Sequence, residues 1–516
     1  MTNLWPIAVS LVLQVPAPGA GEVITAELVR ARSAIEQRER TQLLQLAEQL
    51  RSRGETEASA EVAALAAPAN ATDGPTRFLP LPEIDSAAIE GRGLANVPTA
   101  PGPMAIALPT VRSVREEAAR KLFDLAFKAV AKPPKDYSLA DECLRAVLER
   151  LPNHPETRRL LGYVPHKGGW ATPYAVRKVE AGNVLHPTYG WVPKSWVTHL
   201  ERGELPAPLE PKQREPRWLP AAEADQLHGS WDKAWKIPTE HFVIRSNVPL
   251  SEAITFSRQL EDFHQLFYSL LADLFGERLP LAQRLQNKAK VGETEAKPHE
   301  VYYFAWQPEF VEYLQPLQGP SIARSLGIYI PITGKDKRRP AYFFRDGGGQ
   351  LPVTATLYHE VSHQLLFESG LGDPEAYLRN DGNYWVFEGL GTYFETLVRT
   401  PKGALEVGGL VGRRIEAARA HLLEAQEYIP LDEFVSYSQD RFNAEKSVFL
   451  HYQEAHALAL FFMQAKGRQY REGFLEYVSD AYKGKVRRLA GRTLESHLGV
   501  PYKTLDAELL TYLKAD

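Results

Sequence analysis

Two histidines four residues apart, inside an apolar and helix-forming stretch, constrain the fold of this chain more than any other feature. The stretch TLYHEVSHQLLFE contains His359, Glu360 and His363. Residues four positions apart on a helix lie one turn apart on the same face, so both imidazoles can reach one cation. The leucines and the valine around them provide apolar surface that would bury this helix. The pattern predicts a buried helix with a metal-binding face, although the same spacing also arises by coincidence.

Three glutamates complete the predicted site. Glu360 lies beside the histidines, where a carboxylate can take a proton from a metal-bound water. A catalytic zinc commonly has three protein ligands, and Glu388 in WVFEGLGTYFE, 25 positions after His363, is the predicted third ligand. Glu395 lies seven residues further on, hence on the same helix face, and is predicted to orient a ligand histidine. The alternative interpretation makes Glu388 a first-turn helix acid and Glu395 a solvated charge.

The two motifs together resemble those of the gluzincin peptidases. His359 to His363, followed by Trp385 to Gly389, is similar to the zinc aminopeptidases, whose third ligand lies in a WxxEGxAxYxE pattern; here Gly391 stands where alanine is usual. A wider resemblance covers most of the chain and is to a poorly characterised group of bacterial gluzincin-like proteins. Those proteins share a helical N-terminal region, an LGYV…GW segment, a strand-rich stretch and a tail like YQEAHALALFFM. The resemblance implies Zn²⁺, peptide hydrolysis and a thermolysin-like catalytic core.

One further catalytic residue follows from the resemblance. In the aminopeptidases, a tyrosine that opens a helical YxxG-like motif donates a hydrogen bond to the developing oxyanion. Tyr452 is the nearest match, 64 residues after Glu388, although Ala455 replaces the glycine. His451 and His456 are rival donors, and Tyr452 can also be read as an ordinary residue of an amphipathic helix.

The chain also departs from the aminopeptidase pattern. It has no GxMEN motif between Gly327 and His359, the element that holds a substrate's free amino group in those enzymes; GIYIPI occupies that place. An endopeptidase is therefore favoured over an aminopeptidase, and an edge strand at GIYIPI could bind an extended peptide. Residues 370–383 separate the two predicted metal helices and could form a lid or rim.

Cysteine content and charge limit the other possibilities. Cys143 is the single cysteine of the chain, so an internal disulfide and a cysteine-rich metal site are both excluded. It lies in an apolar-periodic stretch and is predicted to be a small buried core residue. Any metal must be held by histidines and carboxylates, which suit zinc but also admit other divalent ions. The net charge is only −4 and no basic run is present, so no nucleic-acid partner is expected.

At 516 residues the chain is too long for one ordinary core, and changes in composition divide it into segments. The predicted segments are a signal peptide (1–20), a helical hairpin (21–67), a linker rich in Pro, Gly and Ala (68–110), a helical repeat-like module with a small Gly- and aromatic-rich β element (111–202), a second linker (203–234) and a gluzincin-like metallopeptidase domain (235–516). The signal-like N-terminus predicts export to the periplasm, the cell surface or the medium. No transmembrane segment is predicted beyond it.

The C-terminal half is predicted to be α+β. Strand-like runs are followed by a pattern that is helical nearly to the end of the chain. The predicted strands are HFVIRSN (241–247), VYYFAW (301–306), GIYIPI (327–332) and AYFF (341–344). Strands first and helices afterwards indicate a small mixed sheet packed against a helical body.

The sequence leads to two functional hypotheses from different classes of protein. The first is zinc-dependent hydrolysis of peptide bonds by metal-activated water, with a peptide or protein as substrate. The second is a binding or scaffold protein, in which the peptidase-like domain holds a structural zinc and the N-terminal helices hold a protein partner. The large N-terminal half and the missing anchor motif favour the second function, whereas the intact Glu360 favours the first.

Overall fold

The computed structural model of the protein describes residues 20–66, 74–86, 102–209, 213, 215–292, 297–331, 339–345, 353–375, 382–401, 403–444, 446–488 and 491–515. The helices are α1 (Ala20–Ser52), α2 (Thr56–Leu65), α3 (Leu108–Ala131), α4 (Tyr137–Arg150), α5 (Pro155–Leu160), α6 (Pro173–Glu180), α7 (Val197–Glu201), α8 (Ala221–His228), α9 (Leu250–Leu270), α10 (Ala272–Phe275), α11 (Pro280–Leu285), α12 (Gln307–Gln318), α13 (Val353–Glu368), α14 (Tyr384–Phe394), α15 (Arg413–Arg419), α16 (Leu431–Phe434), α17 (Gln439–Phe442), α18 (Val448–Arg468), α19 (Arg471–Tyr482), α20 (Lys485–Arg488), α21 (Leu494–Leu498) and α22 (Tyr502–Leu513). The predicted signal peptide lies outside the described residues except for Ala20, where α1 begins.

The strands form one five-stranded sheet and several small ones. They are β1 (Thr76–Phe78), β2 (Ile84–Asp85), β3 (Val164–His166), β4 (Gly169–Ala171), β5 (Asn183–His186), β6 (Gly190–Pro193), β7 (Glu204–Pro206), β8 (Trp218–Pro220), β9 (Trp235–Pro238), β10 (Phe242–Ser246), β11 (His299–Phe304), β12 (Gly327–Tyr329), β13 (Ala341–Phe344), β14 (Val398–Arg399) and β15 (Leu405–Val407). The α+β prediction is confirmed, and a strand forms within or across each of the four predicted runs.

The five-stranded sheet is mixed and positions the helices that follow it. Its order is β12-β13-β11-β10-β9. The three inner strands run parallel, while β9 and β12 pair antiparallel at the two edges. Every residue of β13 is buried, as expected for an inner strand that is covered on both faces. The chain continues from β13 to α13, which packs against β12 and β13.

The helical body is built around α14, which is buried along its whole length. A helix that is apolar on all sides belongs in the interior of a large core. Glycine allows α14 to approach α18 closely, because a Cβ atom on Gly389 would lie 2.8 Å from the carbonyl oxygen of Ala455. The backbone of α18 leaves the helical conformation at Ala465, Lys466 and Gly467, near its C-terminal end.

The N-terminal half packs onto the same core. Within the predicted hairpin (21–67), α1 contacts α2, and α1 also packs against α3. The second predicted linker (203–234) carries regular structure instead, since it contains the β7–β8 pair and α8. Its Leu205 and Ala224 belong to the main hydrophobic cluster, which also includes Cys143 as a fully buried core residue, as predicted. No described helix is both long enough and apolar enough to cross a membrane.

Candidate metal centre

Helix α13 presents both predicted histidines from inside the protein. His359 and His363 are 7% and 6% exposed, and Leu357, Val361 and Leu365 on the same helix are buried against the core. The apolar residues fix the rotation of α13, so that the two imidazoles lie on one face. Their ring centroids are 5.0 Å apart.

Helix α14 brings Glu388 to these histidines. One ligand atom from each of His359, His363 and Glu388 lies within 4.8 Å of the other two. The Nε2 atom of His359 is 3.2 Å from the Oε2 atom of Glu388. Ligand atoms about 2.0–2.1 Å from a tetrahedral zinc are about 3.3 Å from one another. The donor set and this spacing therefore fit a zinc-sized cation.

Glu395 and Arg414 hold the other side of His359. The Nδ1 atom of His359 is 2.9 Å from the Oε1 atom of Glu395, which leaves Nε2 for the shared site. Arg414 on α15 donates from Nε to the Oε2 atom of Glu395 at 2.7 Å. A carboxylate behind a histidine fixes the ring tautomer and raises the basicity of the ligand nitrogen. The sequence predicts the role of Glu395 but not that of Arg414, which lies on another helix outside either motif.

Gly391 makes room for the ring of His359. A Cβ atom at this position would lie 2.8 Å from both Nε2 and Cε1 of the imidazole. Real Cβ atoms do not approach other atoms so closely, so a larger residue would require the ring or the helix to move. The glycine that distinguishes this chain from the aminopeptidase pattern is thus in direct contact with a ligand.

Glu360 is tied to the edge of the sheet. Its Oε2 atom accepts a hydrogen bond from the backbone N–H of Tyr329 on β12, at 2.8 Å. The side chain is partly buried, and burial, reinforced by the nearby charges of Glu388 and Glu395, raises the pKa of Glu360 to about 7. This contact joins the metal helix to an edge strand.

The charges of the ligands are strongly coupled. Burial by itself lowers the pKa of His359, but the hydrogen bonds to Glu388 and Glu395 outweigh burial and raise the pKa to about 10. Burial and the neighbouring charge of His359 lower the pKa of His363 to about 4. Burial by itself raises the pKa of Glu388, but the contact with His359 lowers it to about 2. A metal ion at this site must compete with a proton on His359.

The predicted oxyanion donor and its two rivals all lie on α18. Tyr452 is partly buried, and its ring centroid is 5.2 Å from that of Phe442. The Nδ1 atom of His451 is 2.6 Å from the carbonyl oxygen of Phe442, and that of His456 is 3.2 Å from the carbonyl oxygen of Thr392. Both histidines therefore use one ring nitrogen to bind a main-chain carbonyl.

A different tyrosine lies beside a ligand. The hydroxyl group of Tyr482 is 3.5 Å from the Nδ1 atom of His363. The ring of Tyr482, at the end of α19, packs against Phe387 and Phe367 with centroids 4.5 and 5.3 Å away. Nothing in the local sequence marks Tyr482, because its proximity to His363 depends on how α19 packs against α13 and α14.

These contacts define a candidate mononuclear centre with two histidines and one carboxylate as ligands. A family described as "Protein of unknown function (DUF1570)" matches residues 353–484. The matched range begins with α13 and ends just beyond Tyr482, so it contains all three ligands together with Glu395 and Arg414. No curated protein and no solved structure matches the chain.

Proposed function

We propose that the protein is a zinc-dependent peptidase that cleaves internal peptide bonds in preference to removing N-terminal residues. The observation that carries the proposal is the convergence of His359, His363 and Glu388 in a buried cluster, with Glu360 beside them on the same helix. A purely structural zinc site has no need of an extra carboxylate next to its ligands. The proposal includes a thermolysin-like core, which is supported by the order of a small mixed sheet followed by the two ligand helices.

The chain supplies distinct groups for metal binding and proton transfer. His359, His363 and Glu388 would hold the cation, with Glu395 and Arg414 keeping His359 oriented. When bound, a zinc ion supplies Lewis-acid polarisation of water and of a carbonyl oxygen. Glu360 would accept a proton from the attacking water and later deliver it to the leaving amine.

The edge strand β12 is the proposed position for the substrate backbone. It lies at one end of the sheet order and is joined to Glu360 through the N–H of Tyr329. An extended peptide that pairs with this edge would pass close to the general base. An acidic anchor for a free amino group is missing from the sequence before His359, which favours internal cleavage. Tyr452 stays the predicted donor to the oxyanion.

A Glu360→Gln variant tests the proposal. The change keeps the size of the side chain but removes the base, so kcat/KM on a fluorescence-quenched peptide library should fall by about 10²–10⁴. Metal content should stay at the wild-type value. Glu416→Gln, a change at an exposed position on α15, is the matched control and should keep full activity.

Two outcomes would contradict this mechanism. Full peptidase activity in Glu360→Gln would remove Glu360 from proton transfer. A wild-type protein that holds zinc but cleaves no member of the library would instead support the alternative, a binding or scaffold protein with a structural zinc site.

A further inference from the structure

A second concave site lies far from the metal motifs in the sequence. A cavity of about 590 Å³ opens where α6 faces α11 and the turn between β9 and β10. Its volume is within the range of small-molecule sites. Tyr163 and Tyr174 contribute aromatic surface to the lining.

The cavity lining is rich in cationic side chains. Among the described residues, five lysines and arginines and one glutamate, Glu240, line it. The cationic residues are Arg145, Arg177, Lys178, Arg284 and Lys290. Glu240 accepts a hydrogen bond from the hydroxyl group of Thr172 at 3.1 Å. Arg145 is already neutralised, because its Nε donates to Asp141 at 2.7 Å.

Arg284 is a half-buried cation of this lining, whereas Arg177 and Lys290 are exposed. Its Nε donates to the carbonyl oxygen of Leu160 at 2.7 Å, and no carboxylate among the described residues forms an ion pair with it. The guanidinium lies against Gly162, where a Cβ atom would be 3.4 Å from Nη2, and the φ of Gly162 is +95°. Burial lowers the pKa of Arg284 to about 10, and the nearby carboxylate of Asp141 offsets only part of this cost.

Lys178 adds to the positive character, whereas His241 is paired with a carboxylate. The ammonium group of Lys178 is 5.1 Å from the ring centroid of Tyr174, and within the described part of the chain it has no carboxylate partner. The Nδ1 atom of His241 is 2.7 Å from the Oε2 atom of Glu261, so these two side chains pair with each other. The carboxylate of Glu261 is thereby occupied within the wall and is not free to pair with Lys178.

We propose that this cavity binds a small organic oxyanion, with Arg284 and Lys178 recognising its phosphate or carboxylate group. A guanidinium binds either group through paired N–H donors, and an ammonium adds a point charge. The tyrosines would contact the carbon skeleton of the ligand. This site is independent of the metal centre, so its occupancy does not require the proposed peptidase activity.

Calorimetric titration of the full chain at low ionic strength tests the site. The probes are glycerol 3-phosphate and glutarate, which separate a phosphate from a dicarboxylate ligand and bind metals weakly. At least one probe should bind with a 1:1 stoichiometry, and Arg284→Gln should weaken that binding by about tenfold or more. Lys178→Gln should weaken it in the same direction, and Arg202→Gln, at an exposed position outside the cavity, should leave it unchanged.

Lys178→Gln decides the result if Arg284→Gln fails to fold, since Lys178 is partly exposed. Binding should also survive His363→Ala, which separates this cavity from the metal centre. Failure of both probes to bind wild type at about 10 mM would overturn the proposal. A loss of binding in Arg202→Gln as large as that in the cavity variants would also overturn it.

Discussion

Two buried clusters of charged side chains are built in opposite ways. In the cluster around Glu142 on α4, arginines from three other helices surround one carboxylate. Arg468 donates to Glu142 at 2.8 Å, Arg471 lies at 3.8 Å, and Arg32 from α1 forms a further hydrogen bond. The chain itself supplies every cation, and the arginines outweigh burial to lower the pKa of Glu142 to about 2.

In the candidate metal centre, carboxylates outnumber guanidinium groups. Glu360, Glu388 and Glu395 converge on two histidines, and Arg414 is the guanidinium that contacts this group of carboxylates through Glu395. The Nε2 atom of His359 and the Oε2 atom of Glu388 lie 3.2 Å apart, a distance that fits either a hydrogen bond from a protonated His359 or two ligands of one bound cation. The Glu142 cluster is balanced by permanent guanidinium charges, whereas Glu388 faces histidines, whose proton a bound cation can replace.

A substitution in the Glu142 cluster should have the largest effect on stability. Glu142→Gln removes the carboxylate shared by Arg468, Arg471 and Arg32, of which Arg32 keeps Glu36 as a partner, so the free energy of unfolding should fall by about 3–5 kcal/mol. Urea unfolding measures this loss. Zinc content per folded chain should not change, because the Glu142 cluster and the metal centre use different residues.

Glu149→Gln is the control for this substitution. Glu149 pairs with Arg77 at the surface, so its loss should cost less than about 1 kcal/mol.

The pH dependence of stability provides a second check on Glu142. Because the pKa of Glu142 is depressed in the folded state, its contribution is present above the unfolded value near about 4.3 and is lost as the pH falls towards 2. The stability difference between wild type and Glu142→Gln should therefore narrow between about pH 4.5 and pH 2; a constant difference would contradict the assignment.

Gly391→Ala should weaken metal binding and also lower the stability of the metal-free protein. The added Cβ would press on the ring of His359, so zinc affinity should fall by about tenfold, comparable with the loss of a group that orients a ligand. Alanine is a better helix former than glycine, but the contact with the buried ring of His359 should outweigh this gain, so the metal-free protein should be less stable than wild type by about 1–2 kcal/mol. Competition with a chromogenic chelator and thermal unfolding measure the two quantities.

Gly389→Ala is the matched control on the same helix. Its Cβ would meet the carbonyl oxygen of Ala455 on α18, so this change should lower the stability of the metal-free protein by about 1–3 kcal/mol. If Gly391→Ala instead bound zinc as tightly as wild type, the contact with His359 would be irrelevant to metal binding.

Glu395→Gln should produce a smaller change. The side chain keeps its size, but the charge that orients His359 and pairs with Arg414 is lost. Zinc affinity should fall by about tenfold at most, near the lower end of the range for such groups. Glu416→Gln at an exposed position of α15 should show no loss, and an equal loss in both variants would point to a general electrostatic effect instead.

Much of the candidate site follows from the sequence, because its parts depend on local spacing. His359 and His363 share a face through helix periodicity alone, and the WVFEG motif identifies Glu388. Arg414 and Tyr482 could not be found in this way. Each reaches the centre through the packing of a separate helix, and no local pattern encodes that packing.

The strands of the fold are likewise predicted only in part from the sequence. Alternating or continuous apolar runs predict β10, β11 and β13 because strand periodicity is local. The sequence does not predict β9, which lies just beyond residues 203–234 and pairs with β10. The proline-rich and polar composition of 203–234 hides two short strands, β7 and β8, that pair within that segment. Such short strands are stabilised by pairing with other strands, which the composition of a segment does not reveal.

The most direct measurement is the zinc stoichiometry of protein purified without chelator or metal affinity resin. Wild type should hold about one zinc per chain, and a His363→Ala, Glu388→Ala double variant should hold none while remaining folded. Folded wild-type protein that holds no zinc and takes none up would contradict the metal centre, and with it the proposed peptidase.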